Sequence, residues 1–300
     1  MWRSIIIYNK EKIKIKDGIL NIESENSVAH FPLEDINCIV IDNLQTIITT
    51  YALKELSAYN ILVILCNESH LPSSITLPLS NNYHLYKVFK MQSSLTNKSK
   101  NTLWDIITTA KIINQSVVLA LCDCNESTVN RMIELSKEVY DGDAGNREGI
   151  AAKMFFRSLY GANFIRTNDT AINSALDYGY AIMRSIVARN LAASGFQLML
   201  GLHHISETNA YNLADDLMEP LRPVVDLYVN NNIDYIVNPI TRDVRSDLVN
   251  LINKDVIYDG KIVKIRYAVE MMVKSLYTAL DSQQYDKFKV PMICKTEQWD

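Results

Sequence analysis

The stretch Lys12-Ile13-Lys14-Ile15-Lys16-Asp17-Gly18 decides the fold class of the N-terminal part of the chain. Isoleucine alternates with lysine at a period of two, which is the pattern of a half-buried β-strand. The Asp-Gly pair that follows favours the tight turn of a β-hairpin. Apolar runs within 31–42 and 61–65 indicate buried strands, and 50–60 between them indicates a short helix. Residues 1–80 are therefore predicted to be β-rich.

The apolar period becomes helical after this region. Four successive stripes recur at intervals of three or four residues, as on one face of a helix. Their members are Leu103, Ile107, Ala110 and Ile113; Leu176, Tyr180, Met183, Val187 and Leu191; Leu213, Leu217, Leu221, Val224 and Tyr228; and Ile265, Val269, Met272, Leu276 and Leu280. Pro72 and Pro78, among serines and asparagines, predict a connecting stretch, and Tyr258-Asp259-Gly260-Lys261 predicts a turn. The predicted fold is α+β, with a small β-rich N-terminal domain (1–80) and a larger all-α C-terminal domain (81–300).

Composition describes an ordinary globular chain, with 48% hydrophobic and 21% charged residues. No segment reads as membrane-spanning, because the most apolar helix, 171–200, carries Asp177, Arg184 and Arg189. The five cysteines show no CxxC spacing, which favours reduced thiols in a cytoplasmic protein.

The charge is unevenly distributed along the chain. A net charge of −4 argues against a protein that coats nucleic acid through overall positive charge. It is compatible with a local basic face. Residues 145–200 carry six Lys/Arg against three acids, whereas 201–247 carry eight acids against three arginines. This order suits phosphate contacts around an acidic metal centre, although solvated helix faces would give the same tally.

Acidic and imidazole side chains stand out on the otherwise apolar helices. They are Glu148, the pair His203-His204, and the run Asp215-Asp216-Leu217-Met218-Glu219. Such groups are costly to bury unless something pairs with them, and a divalent cation would pair with all of them. Carboxylate oxygens suit Mg²⁺, and an added imidazole makes Mn²⁺ acceptable too. The pattern therefore predicts a metal-dependent site for phosphate chemistry.

Local geometry supports two parts of this site. Asp143 can cap the helix that carries Glu148. Asp216 and Glu219 are three residues apart and can share one helix face. Pro220 and Pro223 remove backbone donors, so the carbonyls of Asp216 and Glu219 are expected to lose their helical partners. We expect the resulting kink to present these carboxylates to the site.

Several segments resemble the CRISPR-associated adaptation integrase family, and their sequences are most similar to its type II branch. They are 173–184 (NSALDYGYAIMR), 201–204 (GLHH) and 209–223 (NAYNLADDLMEPLRP). The 104–115 stretch, which ends in KIINQ, and Glu148-Gly149 at a helix start are similar as well. The resemblance spans nearly the whole chain in the expected order.

The resemblance implies a metal site of glutamate, histidine and a second acid. Matched residue by residue, the catalytic groups and metal ligands are Glu148, His204 and Glu219, with Mg²⁺ or Mn²⁺ as the cofactor. Asp216 takes a supporting role. His203 stays an alternative to His204, because either member of the pair can be the ligand.

Other residues are candidates for indirect roles. Asn173 can orient a site group, or it can be a feature of a helix N-terminus near Thr170. Lys153, Arg184 and Arg189 are candidate DNA phosphate contacts. Arg222 is either another phosphate contact or the partner of a neighbouring acid.

The implied function is a metal-dependent DNA integrase and endonuclease of CRISPR adaptation. Such a protein joins 3′-hydroxyl ends of short prespacer DNA to the CRISPR repeat array by transesterification. The nucleophile comes from the DNA, so no Ser-His-Asp constellation is needed, and none is evident. The family resemblance also implies a homodimer formed through the N-terminal domain. It further implies a small ferredoxin-like partner, the second adaptation protein. A stand-alone nuclease for branched DNA and a non-catalytic DNA-binding scaffold are the alternatives.

Overall fold

The computed structural model describes residues 3–77 and 84–294. Two compact units make up the chain, Met1–Tyr83 and His84–Asp300. The predicted domain boundary between residues 80 and 81 lies outside the described residues.

In its described residues, 3–77, the first unit contains two four-stranded sheets and one α-helix. Their order is β1-β5-β7-β8 in one sheet and β4-β3-β2-β6 in the other. The elements are β1 Arg3–Ile7, β2 Lys12–Lys16, β3 Ile19–Glu23, β4 Val28–Pro32, β5 Ile36–Ile41, β6 Ile47–Ile48, α1 Thr50–Ala58, β7 Leu62–Cys66 and β8 Pro72–Ile75. Both sheets contribute to one apolar core, which includes Ile13 and Ile15 of β2 and Ile39 and Ile41 of β5.

The predicted hairpin is confirmed. β2 and β3 pair antiparallel and Lys16 lies opposite Ile19, so Asp17 and Gly18 form a two-residue turn. Both turn residues have positive φ, 51° and 73°, as a type I′ turn requires. The predicted connecting stretch is wrong at Pro72, which begins strand β8, and Pro78 lies outside the described residues. β8 is the last strand of its sheet, where a missing N–H is tolerated.

The second unit is mainly helical. Its elements are α2 Leu85–Ser93, α3 Asn97–Leu121, α4 Glu126–Lys137, α5 Arg147–Tyr160, α6 Ala171–Ala193, α7 Asn212–Met218, α8 Arg222–Asn231, α9 Arg242–Asn250, β9 Asp255–Tyr258, β10 Lys261–Lys264 and α10 Ile265–Ser282. The predicted stripe of α6 is buried, as is that of α10. This unit confirms a helical C-terminal part.

The prediction of an all-α C-terminal domain is wrong in one place. β9 and β10 form an antiparallel hairpin, with Tyr258 opposite Lys261. Asp259 and Gly260 have φ of 48° and 75°, so the predicted turn is a second Asp-Gly hairpin turn.

A 3₁₀ turn, Glu219–Leu221, separates α7 from α8 where the prolines predicted a break. The backbone N–H of Glu219 donates to the carbonyl of Asp216. The N–H of Arg222 donates to the carbonyl of Glu219. The expectation of unpaired carbonyls is therefore wrong, because i→i+3 hydrogen bonds replace the helical ones.

Two further predictions concern thiols and membranes. All five cysteines of the chain lie in the described residues and are free thiols, as predicted. Among the helices of the described ranges, none is long and apolar enough to cross a membrane.

Candidate active site

Helix α3 provides the platform of the site. Lys111, Asn114 and Gln115 occupy positions i, i+3 and i+4, which lie on one helix face, and all three are buried. The amide nitrogen of Asn114 donates to the carbonyls of Pro220, at 2.6 Å, and Pro291, at 3.1 Å. Asn114 therefore fixes α3 against the 3₁₀ turn that begins with Glu219.

Lys111 joins the two acidic residues predicted to be ligands. Its Nζ contacts Oε1 of Glu148 and lies 2.5 Å from Oε2 of Glu219. Arg222 donates from Nε to Oε1 of Glu219 at 2.7 Å. Carboxylates from two distant parts of the chain thus converge on one cationic atom. Of the two interpretations of Arg222, pairing with a neighbouring acid is the one observed.

The charges in this cluster stabilise each other. Burial alone would raise the pKa of Glu219, but the charges of Lys111 and Arg222 lower it to about 2. Burial alone would lower the pKa of Lys111, but Glu219 and Glu148 raise it above its ordinary value. Both partners are therefore charged at neutral pH, and the site is an ion-pair network with little exposure to water.

Glu148 is positioned by the loop before α5. Asp143 accepts hydrogen bonds from the backbone N–H groups of Arg147, at 2.8 Å, and Glu148, at 2.9 Å. Asp143 thus satisfies the first donors of the helix, which confirms its predicted capping role. Asp105 holds the loop in turn, by accepting from the N–H groups of Gly142 and Asp143. Glu148 lies in the first turn of α5, where the helix dipole favours a carboxylate.

His204 is held by Asp216. Its Nδ1 is 2.6 Å from Oδ1 of Asp216, which is fully buried. Asp216 also accepts from the backbone N–H groups of Leu202, His203 and His204. The hydrogen bond that His204 makes to Asp216 raises the pKa of His204 above its ordinary value. Asp216 thus fixes both the backbone of the histidine loop and the imidazole of His204, which is compatible with its predicted supporting role.

His203 has a different environment. Its ring stacks on Trp104, with centroids 4.2 Å apart and an interplanar angle of 5°. His204 meets the same indole edge-on, at 5.9 Å. Trp104 belongs to α3, so the histidine loop is attached to the helix that carries Lys111. Of the two histidines, only His204 has a carboxylate partner in the described structure.

A cavity of about 290 Å³ opens beside the carboxylates. Its walls combine charged, amide and aromatic side chains. The lining residues are Lys111, Gln115, Glu148, Ala152, Phe156, Arg166, Tyr180, Glu219, Arg222 and Asp226. His204 is not one of these lining residues among those that the structure describes. The structure therefore brings Glu148 and Glu219 into one cavity and leaves His204 outside it.

Tyr180 and Asp226 form a buried pair at the far side of this cavity. The phenol of Tyr180 donates to Oδ1 of Asp226. Burial raises the pKa of Asp226 to about 7, although Tyr180, Arg222, Arg166 and Lys111 act in the opposite direction. Tyr180 is buried, as predicted, but it also lines the cavity.

Asn173 shows features of both predicted roles, because its backbone N–H donates to the capping Oγ1 of Thr170 at 3.2 Å and its side chain contacts an arginine of the cavity. Its Oδ1 accepts from Arg166 at 3.3 Å. Its Nδ2 donates to the carbonyls of Ile165, at 2.9 Å, and Asn168, at 2.7 Å. Asn173 therefore fixes the loop before α6 and the arginine that this loop places in the cavity wall.

The predicted DNA contacts fall in unlike environments. Lys153 is exposed on α5. Arg184 is half-buried, 3.8 Å from Asp215, and lies over the ring of Tyr211. Arg189 is only 5% exposed on α6. This low exposure disfavours a phosphate contact by Arg189 in the isolated chain, and its role stays a prediction.

Metal binding is the remaining prediction about the site. In 3–77 and 84–294, no three His, Cys, Asp or Glu side chains are grouped so that they could hold one ion. Two hard carboxylates converge, which suits a divalent cation, but the ammonium of Lys111 occupies their meeting point. The ligand set Glu148, His204 and Glu219 therefore stays a prediction.

Sequence reasoning assigned no role to four polar residues of this cavity, Lys111, Gln115, Arg166 and Asp226. A signal was present for the first two, because both continue the apolar stripe of Leu103 and Ile107 and are polar. A lysine in such a stripe is costly unless a buried acid faces it. Arg166 lies in a loop, where no periodicity marks a residue as facing a cavity.

Two carboxylates that converge on a cation beside further arginines form a class of site suited to phosphate esters. A sequence model described as CRISPR associated protein Cas1 matches residues 5–236. The chain belongs to the Cas1 family, as the resemblance of its motifs predicted. Its predicted function class, an integrase and endonuclease of CRISPR adaptation, is confirmed with it.

Individual relatives extend this match to the full chain. CRISPR-associated endonuclease Cas1 of Neisseria meningitidis serogroup C is 33% identical over 300 residues, covering 99% of this chain and 98% of that protein. CRISPR-associated endonuclease Cas1 1 of Francisella tularensis subsp. novicida is 24% identical and covers 87% and 90% of the two chains.

Solved structures share the fold at low sequence identity. A Cas1 protein from Thermotoga maritima superposes with a TM-score of 0.72 at 16% identity, covering 98% of this chain and all of that one. A casposase bound to integration product gives 0.73 at 19% identity, covering 94% and 91%. A partial Cas6-RT-Cas1–Cas2 complex gives 0.66 at 18% identity, covering 98% and 100%.

Proposed function

We propose that this chain joins the 3′-hydroxyl ends of short prespacer DNA to the CRISPR repeat array. The observation that carries this proposal is the convergence of Glu148 and Glu219 in one cavity of a Cas1-family chain. In the reaction, the 3′-oxygen of the incoming strand bonds to phosphorus while the O3′–P bond of the target strand breaks. The number of phosphodiester bonds is unchanged, so the joining needs no energy-rich cosubstrate.

A divalent cation is part of this proposal. Glu148 and Glu219 would hold Mg²⁺ or Mn²⁺ together with His204, once the Lys111 ammonium withdraws from between the carboxylates. The ion would supply charge neutralisation at the phosphate and a lower pKa for the attacking hydroxyl.

The residues of the chain have distinct parts in this mechanism. Glu219 keeps its negative charge because Lys111 and Arg222 lower its pKa to about 2. Asp216 accepts a hydrogen bond from Nδ1 of His204. The other imidazole nitrogen, Nε2, is therefore the one that can contact a ligand or transfer a proton. Lys111 and Arg222 supply positive charge beside the place where charge develops on phosphate oxygens.

DNA and a second adaptation protein are the proposed partners. The similar casposase was solved with an integration product, and other neighbours are Cas1–Cas2 complexes, which supports both. We propose that the chain acts as a homodimer, assembled through its β-rich unit, together with a small ferredoxin-like Cas2-type protein. Such an assembly would let a chain of net charge −4 place separate basic patches along one duplex. DNA binding is then expected to weaken steeply with salt, as counterion release requires.

A strand-joining assay tests this function. Supercoiled plasmid carrying a CRISPR repeat is incubated with a labelled 3′-hydroxyl duplex and Mg²⁺ or Mn²⁺, with and without the second protein. We expect label to enter the plasmid with the wild-type chain. Glu148→Ala and His204→Ala should lower the rate by 100-fold or more, which corresponds to about 3 kcal/mol, whereas Arg131→Gln on α4 should not.

Other outcomes identify the alternatives. Nicking without covalent joining would indicate a stand-alone nuclease, best tested next on branched duplexes. Joining that survives Glu148→Ala would remove the catalytic assignment of Glu148 and leave only a DNA-binding role for that part of the site. Joining that requires no divalent cation would exclude the metal role while leaving the integrase role intact.

A further inference from the structure

The cavity extends beyond the carboxylates to a third cationic side chain, Arg166, which lies near Arg222. The guanidinium carbon of Arg222 lies 4.6 Å from the ring centroid of Tyr180. That of Arg166 lies 5.2 Å from the same centroid. The two arginines come from different parts of the chain, a loop and helix α8, and meet at one buried aromatic ring that lines the cavity.

Converging guanidinium groups repel each other unless negative charge compensates them. Arg222 has the carboxylate partner Glu219, which Lys111 also contacts. Arg166 is paired with Asp177, whose side chain is 62% exposed, so water screens this compensating charge. The carboxylate nearest to Tyr180 is Asp226, and burial raises its pKa to about 7, so it carries less than a full negative charge near neutrality. The lining of the cavity contains three cationic side chains and three acids, one of which is partly protonated. This region therefore favours an anion.

Arg166 is fixed in place before any ligand binds. It donates to Asn173 at 3.3 Å and contacts Asp177 at 2.5 Å. Asn173 is 3% exposed and holds the surrounding loop through the carbonyls of Ile165 and Asn168. A preorganised guanidinium loses less entropy when it binds a phosphate than a free one does.

Gln115 provides an independent sign of a ligand. It is 2% exposed and lines the same cavity, and its Oε1 has no hydrogen-bond partner within the described residues. A buried carboxamide without a full set of partners is costly. A hydroxyl group in the cavity, such as the 3′-hydroxyl of a DNA end, would offer the donor that this oxygen lacks, whereas a phosphodiester has no proton to donate.

We propose that the part of the cavity between Arg166 and Arg222 is a subsite for a DNA phosphate next to the reacting one. Arg166 is the primary contact and Asn173 is its positioning residue. This proposal rests on the proposed DNA-joining function. It deepens that function by naming a group that aligns the strand with the carboxylates and does no chemistry itself.

A chemical double-mutant cycle tests the subsite. Duplexes with a 3′-hydroxyl overhang carry one uncharged methylphosphonate at each of the phosphates nearest the end, one position at a time. Affinity is measured by fluorescence anisotropy in EDTA for the wild-type chain and for Arg166→Gln. We expect one position at which neutralisation weakens wild-type binding about tenfold but leaves Arg166→Gln binding unchanged.

Two further variants sharpen the result. Arg131→Gln removes an exposed arginine that is paired with Glu134 and Glu138 on α4, and it should keep the full methylphosphonate effect. Asn173→Ala should lose most of the effect at the same position as Arg166→Gln, although Asn173 itself does not contact DNA. Equal, additive losses at every position in wild type and Arg166→Gln would overturn the subsite.

The outcome is separable from that of the joining reaction. If wild-type chain joins DNA but Arg166 shows no coupling, the subsite is wrong and the function stands. If coupling is present but joining fails with both Mg²⁺ and Mn²⁺, the subsite stands and the joining function is wrong.

Discussion

At the scale of the residue, two buried glutamines differ in how their amides are satisfied. Gln92 both donates to and accepts from the backbone of Gln197, at 3.1 and 2.8 Å. The oxygen of Gln115 has no such partner in the described structure. Gln92→Met should lower the free energy of unfolding by about 1–3 kcal/mol, whereas Gln115→Met should leave it unchanged or raise it by about 1 kcal/mol.

Urea unfolding of both variants, in EDTA and without DNA, measures this difference. Similar losses for Gln115→Met and Gln92→Met would mean that the carboxamide of Gln115 is satisfied in the free protein. Stability gained at Gln115 together with weaker DNA binding would identify a residue kept for a ligand and not for the fold.

Lys111 is expected to behave as a stand-in for a metal ion. Lys111→Met leaves the carboxylates of Glu148 and Glu219 facing each other, with only Arg222 beside them. The metal-free variant should lose about 3–5 kcal/mol, the usual cost of breaking a buried ion pair. Mn²⁺ should then raise its unfolding temperature more than that of the wild type, because no ammonium competes for the carboxylates.

The control for this prediction is Lys54→Met, which removes an exposed lysine paired with Glu55 and should change neither property. Thermal unfolding in EDTA and in increasing Mn²⁺ gives both readouts. If Mn²⁺ stabilises wild type and Lys111→Met equally, the Lys111 ammonium and Mn²⁺ do not compete for the site between the carboxylates.

The sequence predicted the acids of this site better than its cations. Glu148 and Glu219 were recognisable because carboxylates on apolar helices need partners, whatever those partners are. Lys111 was not, because a long lysine can extend its ammonium to solvent from a half-buried position. Only the tertiary structure shows that it turns inward and meets two acids.

At the scale of the element, the Glu219–Leu221 turn determines where Glu219 points. Its 3₁₀ geometry separates two acids that helix spacing had placed together. Asp216 faces the backbone of the histidine loop, and Glu219 faces Lys111 and Arg222. The expectation that both carboxylates would be presented to one site is therefore met by Glu219 alone.

Pro220→Ala tests the importance of this turn. Alanine restores a backbone donor and favours continuation of α7 into α8, which would rotate Glu219 away from Glu148. We expect Mn²⁺ affinity to fall by about tenfold, or about 1.4 kcal/mol, in a calorimetric titration. A Mn²⁺ titration that matches wild type would show that the turn has no part in placing the carboxylate.

The prediction of strands succeeded where the alternating apolar pattern was long enough to recognise. It failed where the strands were short. Asp17-Gly18 predicts a hairpin because five alternating residues precede it. Asp259-Gly260 has the same turn chemistry, but its strands are only four residues long and run directly into α10. Pro72 suggested a connection because a missing N–H disfavours a strand, yet an edge strand accepts it.

At the scale of the whole molecule, the cavity depends on contacts between distant parts of the chain. Lys111 and Glu148 are 37 residues apart, and Asn114 and Pro220 are 106 apart. Periodicity shows which face of a helix is buried, but it does not show which face it meets. The family resemblance supplied that missing pairing for Glu148 and Glu219, and it assigned no role to Gln115, Arg166 or Asp226.

The pH dependence of stability combines two buried carboxyls with opposite shifts. Burial raises the pKa of Asp226 to about 7, so its stabilising contribution is complete in acid and is lost as the pH rises through about 7. The pKa of Glu219 is lowered to about 2, so its contribution is complete above its ordinary value and is lost as the pH falls toward 2. Stability should therefore be highest in mildly acidic solution, between these two ranges.

Single substitutions separate the two sides of this maximum. Asp226→Asn keeps an acceptor for Tyr180 but cannot ionise, so the fall in unfolding free energy from pH 5 to pH 8 should be smaller than in wild type by about 3 kcal/mol. Glu219→Gln should instead flatten the acid side by about 3 kcal/mol between pH 5 and pH 2, without changing the slope above pH 5. Urea unfolding in EDTA at pH 2 to 8 measures both slopes. If Asp226→Asn and wild type lose stability in parallel from pH 5 to pH 8, Asp226 is already ionised in the folded protein. The cavity would then carry one more negative charge, and its preference for a phosphate would weaken accordingly.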